Sequence, residues 1–171
     1  TANEDAQQAW ENIRNSALNC NTGLQGPQEA VLCARPSLSV NSVSTWGGTE
    51  IFYDAQKVVD AAYKLLKAKE ALSGQNYSYD LTDFTRQAFT DYGNYLLKAI
   101  NDAANSGNNE AYAQRRDAYL QLILDLDELL NTNQNFMLGR WTNLARGIAD
   151  EEKGTSESDK QWLELNNART L

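Results

Sequence analysis

Apolar residues recur at helical spacing along most of this chain, and this pattern limits its fold more than any other feature. The clearest run is Ile51, Ala55, Val58, Val59, Ala62 and Leu66. Such a stripe lies on one side of a helix and needs other helices to cover it. No alternating run predicts a strand hairpin, and no repeat of fixed period is present. The sequence therefore predicts an all-α fold.

Cap and turn signals divide the pattern into an irregular bundle of about five to six helices. The predicted helices span Asn3 to about Ala17, Gly48 or Thr49 to Gly74, Asp80 to Asn105, Asn109 to Leu130, Phe136 to Asp150, and a last segment after Ser156. Asp80 offers a side-chain cap, and Ser156 with Asp159 resembles a capping box. Residues 18–48 predict one long loop between the first and second helices, because helix connections usually take about 2–8 residues.

Length and charge narrow the class of protein. The 171 residues are most simply one helical domain, since a chain of this size can bury a core. The formal net charge of -8 repels nucleic-acid phosphates and anionic lipids, which argues against both as partners. No apolar run reaches the roughly twenty residues that span a membrane. Because the chain starts at Thr1 without Met, we expect a processed piece of a longer polypeptide.

The chain has no His, which removes whole classes of chemistry. Nucleophiles activated by His, His-ligated zinc and the Glu-x-x-His pairs of di-iron bundles are excluded. We predict no metal site and no cofactor. Acidic residues such as Asp125 and Glu128 lie three apart on a helix, where surface ion pairs are the usual outcome. No catalytic residue is predicted in this chain.

Cys20 and Cys33 are the two cysteines. In the chain-entropy model a disulfide between them would stabilise the fold by about 3 kcal/mol. Two unpaired thiols fit the sequence equally well, because spacing does not give the distance between Cα atoms. Both interpretations stay open.

The stretch from Asn133 to Arg146 breaks the helical pattern and restarts it with Trp141 between Arg140 and Arg146. A Trp on a helix packs in a core, or it offers its aromatic face to a sugar ring. The residues alone do not decide between these roles.

The segment Tyr79-Asp-Leu-Thr-Asp-Phe-Thr-Arg-Gln87 resembles one in the C-terminal helical domain of the α-N-acetylglucosaminidases, which are glycoside hydrolases. Other matching segments follow in the family's order: Ala9-Trp10, Asn19-Cys20, Arg35-Pro-Ser-Leu38, Leu126-Asp-Glu-Leu-Leu130, Phe136-Met-Leu-Gly-Arg-Trp141, Ala145-Arg146 and Asn167-Ala-Arg169. Near Trp46 the match is loose. Because the family's pattern continues past Leu171, the resemblance implies the first part of that domain.

The resemblance implies a helical domain packed on the catalytic (β/α)8 barrel of the same polypeptide. Family members cut terminal α-linked N-acetylglucosamine from glycans with two carboxylates of the barrel, as retaining glycosidases do. This chain alone is therefore expected to be inactive. The resemblance also implies a secreted, periplasmic or lysosomal-type compartment.

Leu138-Gly139-Arg140-Trp141 matches a family segment whose Trp lies at the edge of the sugar pocket. The resemblance therefore makes Trp141 the predicted substrate-binding residue, with Gly139 allowing close approach of the backbone. It also implies that Arg146, Asn167 and Arg169 are structural anchors.

A free-standing helical module that binds a protein through an exposed aromatic patch is the alternative. Under the family hypothesis we expect Trp141 to be at least partly exposed and Trp10 to pack inside the bundle. We also expect a contiguous apolar patch on the surface, where the barrel would lie.

Overall fold

The computed structural model describes residues 3–19, 30–34, 37–40, 43, 48–151 and 155–169. Within these ranges the chain is helical and has no strand, which confirms the all-α prediction. The helices are α1 (Glu4–Arg14), α2 (Ala55–Lys67), α3 (Gln75–Asn105), α4 (Asn109–Asn131), α5 (Leu138–Asp150) and α6 (Glu157–Glu164). Short 3-10 turns lie at Ala17–Asn19, Val31–Cys33 and Ala68–Glu70, and a π-helical turn at Leu165–Arg169.

The main core lies between α1, α2 and the first half of α3. It consists of small and branched side chains around one aromatic ring: Ala6, Ala9, Ile13, Val58, Ala61, Ala62, Leu65, Phe84 and Ala88. The alanines let α1 and α2 approach closely, because the distance between two packed helices decreases with the size of the side chains at their contact. Asn3 caps α1, because its side-chain oxygen accepts a hydrogen bond from the backbone N–H of Ala6 at 2.9 Å.

Helices α2 and α3 begin elsewhere than the sequence predicts, and α5 begins at Leu138 rather than at Phe136. The side chain of Asp54 caps α2, so residues 48–54 lie outside the helix and Ile51 is not part of its stripe. Helix α3 begins directly after Gly74, whose φ of 104° favours glycine, and the predicted start at Asp80 is wrong. Tertiary contact extends the helix backwards, because the Tyr77 hydroxyl donates a hydrogen bond of 2.8 Å to the Leu65 carbonyl.

The buried face of α3 changes along its length. Tyr92 and Tyr95 are exposed, and their rings stack with centroids 5.9 Å apart. After Tyr92, the buried positions of α3 are Gly93, Leu96, Ile100 and Ala103. This half of α3 packs on the Val31–Cys33 turn and on α4, because Leu32 lies against Gly93 and Arg115 of α4 donates a hydrogen bond to the Ala99 carbonyl.

The expectation that Trp10 packs inside the bundle is wrong. Its side chain is 45% exposed, and its ring meets Phe84 in an edge-to-face contact with centroids 5.1 Å apart. Ala6, Ala9 and Ile13 make the core contacts of α1, which leaves Trp10 at the border of the core.

Some predictions fall outside the described residues. Cys20, Trp46 and the side chain of Arg169 are among these, so the state of the Cys20 and Cys33 pair, which the sequence leaves open, is not described, while Cys33 lies exposed on its 3-10 turn. Across the described ranges, no helix combines the length and the apolar character needed to cross a membrane.

Candidate functional site

Helices α5 and α6 pack on each other and on the π-helical turn, rather than on α1 to α4. The side of α5 that faces this contact is buried at Thr142, Ala145 and Ala149. Arg146 links the two helices, because its guanidinium lies 2.5 Å from a carboxylate oxygen of Glu157 and 3.1 Å from one of Glu164. Two ion pairs to α6 are consistent with the structural role expected for Arg146. Within the described ranges Asn167 makes a local bond, donating to the Leu163 carbonyl at 3.0 Å.

The start of α6 is fixed by the capping box that the sequence predicts. The Ser156 hydroxyl accepts from the backbone N–H of Asp159, and the Asp159 carboxylate accepts from the backbone N–H of Ser156. Hydrogen bonds from the backbone and hydroxyl of Ser156 lower the pKa of Asp159. The hydrogen bond from Arg146 lowers the pKa of Glu157. Both carboxylates are therefore held in the charged form, which suits a helix N-terminus.

Next to its buried side, α5 carries an apolar stripe that the described residues leave open. We call it the α5 face, and it consists of Leu138, Trp141, Leu144 and Ile148, each more than half exposed. Their spacing of three, three and four residues places them side by side. Trp141 is 56% exposed, which agrees with the expected exposure. Its predicted contact with substrate stays a prediction.

A corner at residues 132–137 holds the start of α5 against the start of α3. Asn133 is buried, donates to the Ser78 hydroxyl at 3.4 Å, and accepts from the backbone N–H of Asn135 at 3.0 Å. The rings of Tyr79 and Phe136 pack with centroids 4.9 Å apart. These contacts fix where α5 begins, and therefore where Trp141 is presented.

The surroundings of Gly139 bear on its predicted role. A Cβ built on Gly139 meets no atom within 4 Å, so the described residues leave the space beside this glycine open. The predicted close approach at Gly139 therefore needs another part of the protein or a ligand, and it stays a prediction. Arg140 beside it donates a hydrogen bond to the Asn135 side chain at the corner.

A buried polar cluster on α3 was not predicted. Oδ1 of Asp91 accepts hydrogen bonds from the Tyr53 hydroxyl at 2.8 Å and from the Gln87 amide at 3.1 Å. Burial raises the pKa of Asp91, more than its hydrogen bonds lower it. Burial and the nearby Asp91 also raise the pKa of Tyr53. In the sequence Asp91 looks like a surface charge on an amphipathic helix, so nothing there signals its burial.

No group of three or more Cys, Asp or Glu residues is arranged to hold a metal ion in the part of the chain that the structure describes. What the described residues offer instead is an open apolar face that includes the indole of Trp141. Such a surface is suited to contact with another domain or with the flat side of a sugar ring.

The family model of the α-N-acetylglucosaminidase (NAGLU) C-terminal domain matches residues 1–171. The chain belongs to this family. The resemblance noted in the sequence is therefore confirmed, and with it the assignment to a C-terminal domain of glycoside hydrolases. A human α-N-acetylglucosaminidase is 30% identical over 178 residues, covering 98% of this chain and 21% of the human protein.

Solved structures of the same kind of enzyme share the fold. A family 89 glycoside hydrolase from Clostridium perfringens, in complex with 2-acetamido-1,2-dideoxynojirimycin, matches with a TM-score of 0.85 and 27% identity. A variant of the Clostridium perfringens enzyme, in complex with GlcNAc-α-1,4-galactose, matches with a TM-score of 0.84 and 27% identity. Each match covers 99% of this chain and 19% of the other. This α-N-acetylglucosaminidase C-terminal domain thus spans about a fifth of its relatives, which is consistent with a non-catalytic role.

Proposed function

We propose that this chain is the non-catalytic helical domain of an α-N-acetylglucosaminidase, and that the α5 face packs on the catalytic barrel of the same polypeptide. The whole protein removes terminal α-linked N-acetylglucosamine from glycans. The chain forms one helical domain over residues 1–171 and is the first part of a larger one. In this proposal the whole protein acts in a secreted, periplasmic or lysosomal-type compartment.

The observation that carries the proposal is the α5 face itself. Four large apolar side chains stand in a row and are each more than half exposed, although a chain of this size has other helices that could cover them. Exposed apolar rows of this kind mark interaction surfaces. Because α5 packs on α6 through its small buried residues, the open row is free to meet a neighbouring domain.

Trp141 is the member of this face that we assign to the sugar. It stands in the first turn of α5, next to the corner that fixes the position of the helix. Its ring can stack on an apolar sugar face, while the N–H reaches a polar partner. Leu144 and Ile148 lie farther along the helix and have no polar atom in their side chains, so they suit contact with the barrel.

The experiment compares Trp141 in two settings, the full-length polypeptide and the 171-residue chain alone. Oxidative footprinting should label Trp141 in the isolated chain and leave it protected in the full-length protein. Trp162, also exposed and located on α6, serves as the reference indole. In parallel, the full-length protein should release N-acetylglucosamine from an aryl α-N-acetylglucosaminide with retention of anomeric configuration.

Two results would count against the proposal. Equal labelling of Trp141 in both settings would mean that the α5 face does not pack on the barrel. A full-length protein without a barrel-length segment, or without hydrolytic activity, would favour the free-standing interaction module.

A further inference from the structure

Arg140 is an exposed cation at the border of the α5 face. Leu144 and Ile148 follow it at the fourth and eighth positions of the helix, so Arg140 stands in one row with these two members of the face. Trp141 is its neighbour in the chain. A surface that covers the α5 face therefore also meets the guanidinium of Arg140.

The side chain of Arg140 is held in place from α3. Its Nη1 donates a hydrogen bond to Oδ1 of Asn135. The amide of Asn135 donates to Oδ1 of Asn133 at 3.1 Å, and the buried Asn133 donates to the Ser78 hydroxyl of α3. An exposed arginine usually loses rotamer freedom when it binds a partner. Because these hydrogen bonds orient Arg140 beforehand, the entropic cost of binding is lower here.

Arg140 has donors left for a partner. A guanidinium carries several N–H groups, and Asn135 accepts from one of its nitrogens. In the part of the chain that the structure describes, no carboxylate forms an ion pair with Arg140. Other described arginines do pair with carboxylates of this chain, namely Arg14, Arg86, Arg116 and Arg146.

Docking of the α5 face on another domain takes Arg140 partly out of water. A cation that loses water without gaining an acceptor is costly, so the covering surface has to supply acceptors. A carboxylate suits the planar fork of a guanidinium best, because two parallel N–H groups can bond to its two oxygens. This chain covers 21% of its human relative, so most of such a polypeptide is available to supply the carboxylate.

The net charge of the chain favours docking at this face. The chain is acidic, with a formal net charge of -8, so its summed field repels a partner surface that carries carboxylates. The α5 face differs, because its row is uncharged and the residue at its border is the cation Arg140. A carboxylate on the partner is attracted here, which favours one orientation of the two domains.

From these features we propose that the barrel surface facing α5 presents a carboxylate, and that Arg140 pairs with it when the α5 face docks. We call this the docking pair. It rests on the proposed function, because it requires the α5 face to pack on the barrel. Arg140 directly precedes Trp141, so the docking pair fixes the position of the indole as well as the orientation of the domain.

The first test is carbodiimide coupling in the full-length Arg140→Lys variant. The carbodiimide activates a carboxylate, and a nearby lysine amine displaces it to form an amide, with the reagent released as a urea. We expect an amide link from position 140 to a single Asp or Glu outside residues 1–171, located by peptide mass spectrometry. Arg116→Lys is the control, because Arg116 is exposed and pairs with Asp117, so its coupling should stay within α4.

The second test is charge reversal in the full-length protein. Arg140→Glu brings two like charges together, so Trp141 should lose its protection in oxidative footprinting and be labelled nearly as readily as Trp162. Arg140→Gln keeps a hydrogen-bond donor without the charge and should lose part of the protection. Arg116→Glu, on α4, should leave the protection of Trp141 unchanged.

Two results would overturn the docking pair: no link from position 140 to a residue outside 1–171, or protection of Trp141 that Arg140→Glu leaves intact. If Arg140→Glu lowers kcat/KM on an aryl α-N-acetylglucosaminide while Trp141 stays protected, Arg140 contacts the substrate instead. Failure of the proposed function is recognised without any variant, because Trp141 of the wild-type full-length protein would then be labelled as in the isolated chain.

Discussion

Leu32 packs so closely over Gly93 that a Cβ at this position would lie 2.7 Å from Cδ2 and 2.8 Å from Cγ of the leucine. Leu32 belongs to the Val31–Cys33 turn, and Gly93 lies in the middle of α3. This contact seats the turn on α3, and it explains why a glycine stands inside a long helix where it weakens the helix itself.

Gly93→Ala should therefore destabilise the chain. Overpacking costs about 1–3 kcal/mol, and the gain in helix propensity returns at most about 1 kcal/mol. We expect a net loss of up to about 2 kcal/mol in the free energy of unfolding, measured by urea denaturation. Gly147→Ala is the control, because its Cβ meets nothing within 4 Å and it should stabilise α5. A stabilising Gly93→Ala would show that Leu32 moves aside at no cost.

Trp141→Ala should affect activity rather than stability. In the full-length protein we expect kcat/KM on an aryl α-N-acetylglucosaminide to fall roughly 5- to 150-fold, which corresponds to about 1–3 kcal/mol. The melting temperature of the isolated chain should barely change, because Trp141 is 56% exposed.

Trp10→Ala is the matched control for this prediction. Loss of its edge-to-face contact with Phe84 should lower stability by about 1–2 kcal/mol, with no change in kcat/KM per folded molecule. If Trp141→Ala instead unfolds the chain and leaves kinetics intact, Trp141 is a packing residue.

Asp91→Asn should change how stability depends on pH. Burial raises the pKa of Asp91 in the folded state above its unfolded value, so the folded state binds more protons between the two values. The wild-type chain therefore loses stability as pH rises from the ordinary aspartate pKa of about 4 through the raised value. An asparagine at this position does not ionise. As pH rises through this range, the Asp91→Asn variant should therefore become more stable relative to the wild type.

The check is a series of thermal melts of both proteins between acid and neutral pH. Asp125→Asn provides the comparison, since Asp125 is an exposed site on α4 whose carboxylate accepts a hydrogen bond from Gln121. A difference between wild type and Asp91→Asn that is constant across pH would mean that the Asp91 carboxyl titrates as in the unfolded chain.

Arg146→Lys should loosen α6 without unfolding the bundle. One ammonium cannot reproduce the fork of the guanidinium on Glu157 and Glu164, so the helix should exchange its amide hydrogens faster at neutral pH. The pKa of Glu157 is lowered in the folded state, so this stabilisation is present above the ordinary glutamate pKa and is lost as pH falls through the lowered value.

The difference between Arg146→Lys and wild type should accordingly shrink in acid. Arg116→Lys is the control, because the pair of Arg116 with Asp117 lies exposed on α4 and should contribute little. Equal exchange rates for wild type and Arg146→Lys at neutral pH would show that apolar packing alone holds α6.

The isolated chain should fold and yet show no turnover. The core of α1 to α3 supports a strongly helical far-UV spectrum and a cooperative melt. No hydrolysis of an aryl α-N-acetylglucosaminide is expected, because the chain covers 21% of its human relative and we propose that the catalytic carboxylates lie on the barrel. Turnover that follows this chain through repurification would contradict the domain assignment.

The sequence was most informative where local signals decide the structure. Helix α4 was predicted from Asn109 to Leu130 and is found at Asn109–Asn131, because Gly107, with φ of 69°, and the cap at Asn108 mark its start. The capping box at Ser156 was equally readable. Both depend only on residues a few positions apart.

Tertiary contacts account for what the sequence did not show. The early start of α3 depends on Tyr77 reaching α2, and Trp10 is half-exposed because alanines carry the contact of α1. The Asp91 cluster joins residues 38 positions apart, which no local pattern reveals. Trp141 was singled out through the family resemblance, and its exposure depends on the way α5 packs on α6.

The corner at residues 132–137 makes α5 a lever with its pivot at one end. The helix has 13 residues and is about 20 Å long, so a rotation of about ten degrees at the corner would sweep its far end through about 3 Å. Trp141 is the fourth residue from the pivot and would move by only about 1 Å in the same rotation. The indole of Trp141 thus lies near the end of the α5 face that such a rotation displaces least, whereas Ile148 lies near the end that it displaces most.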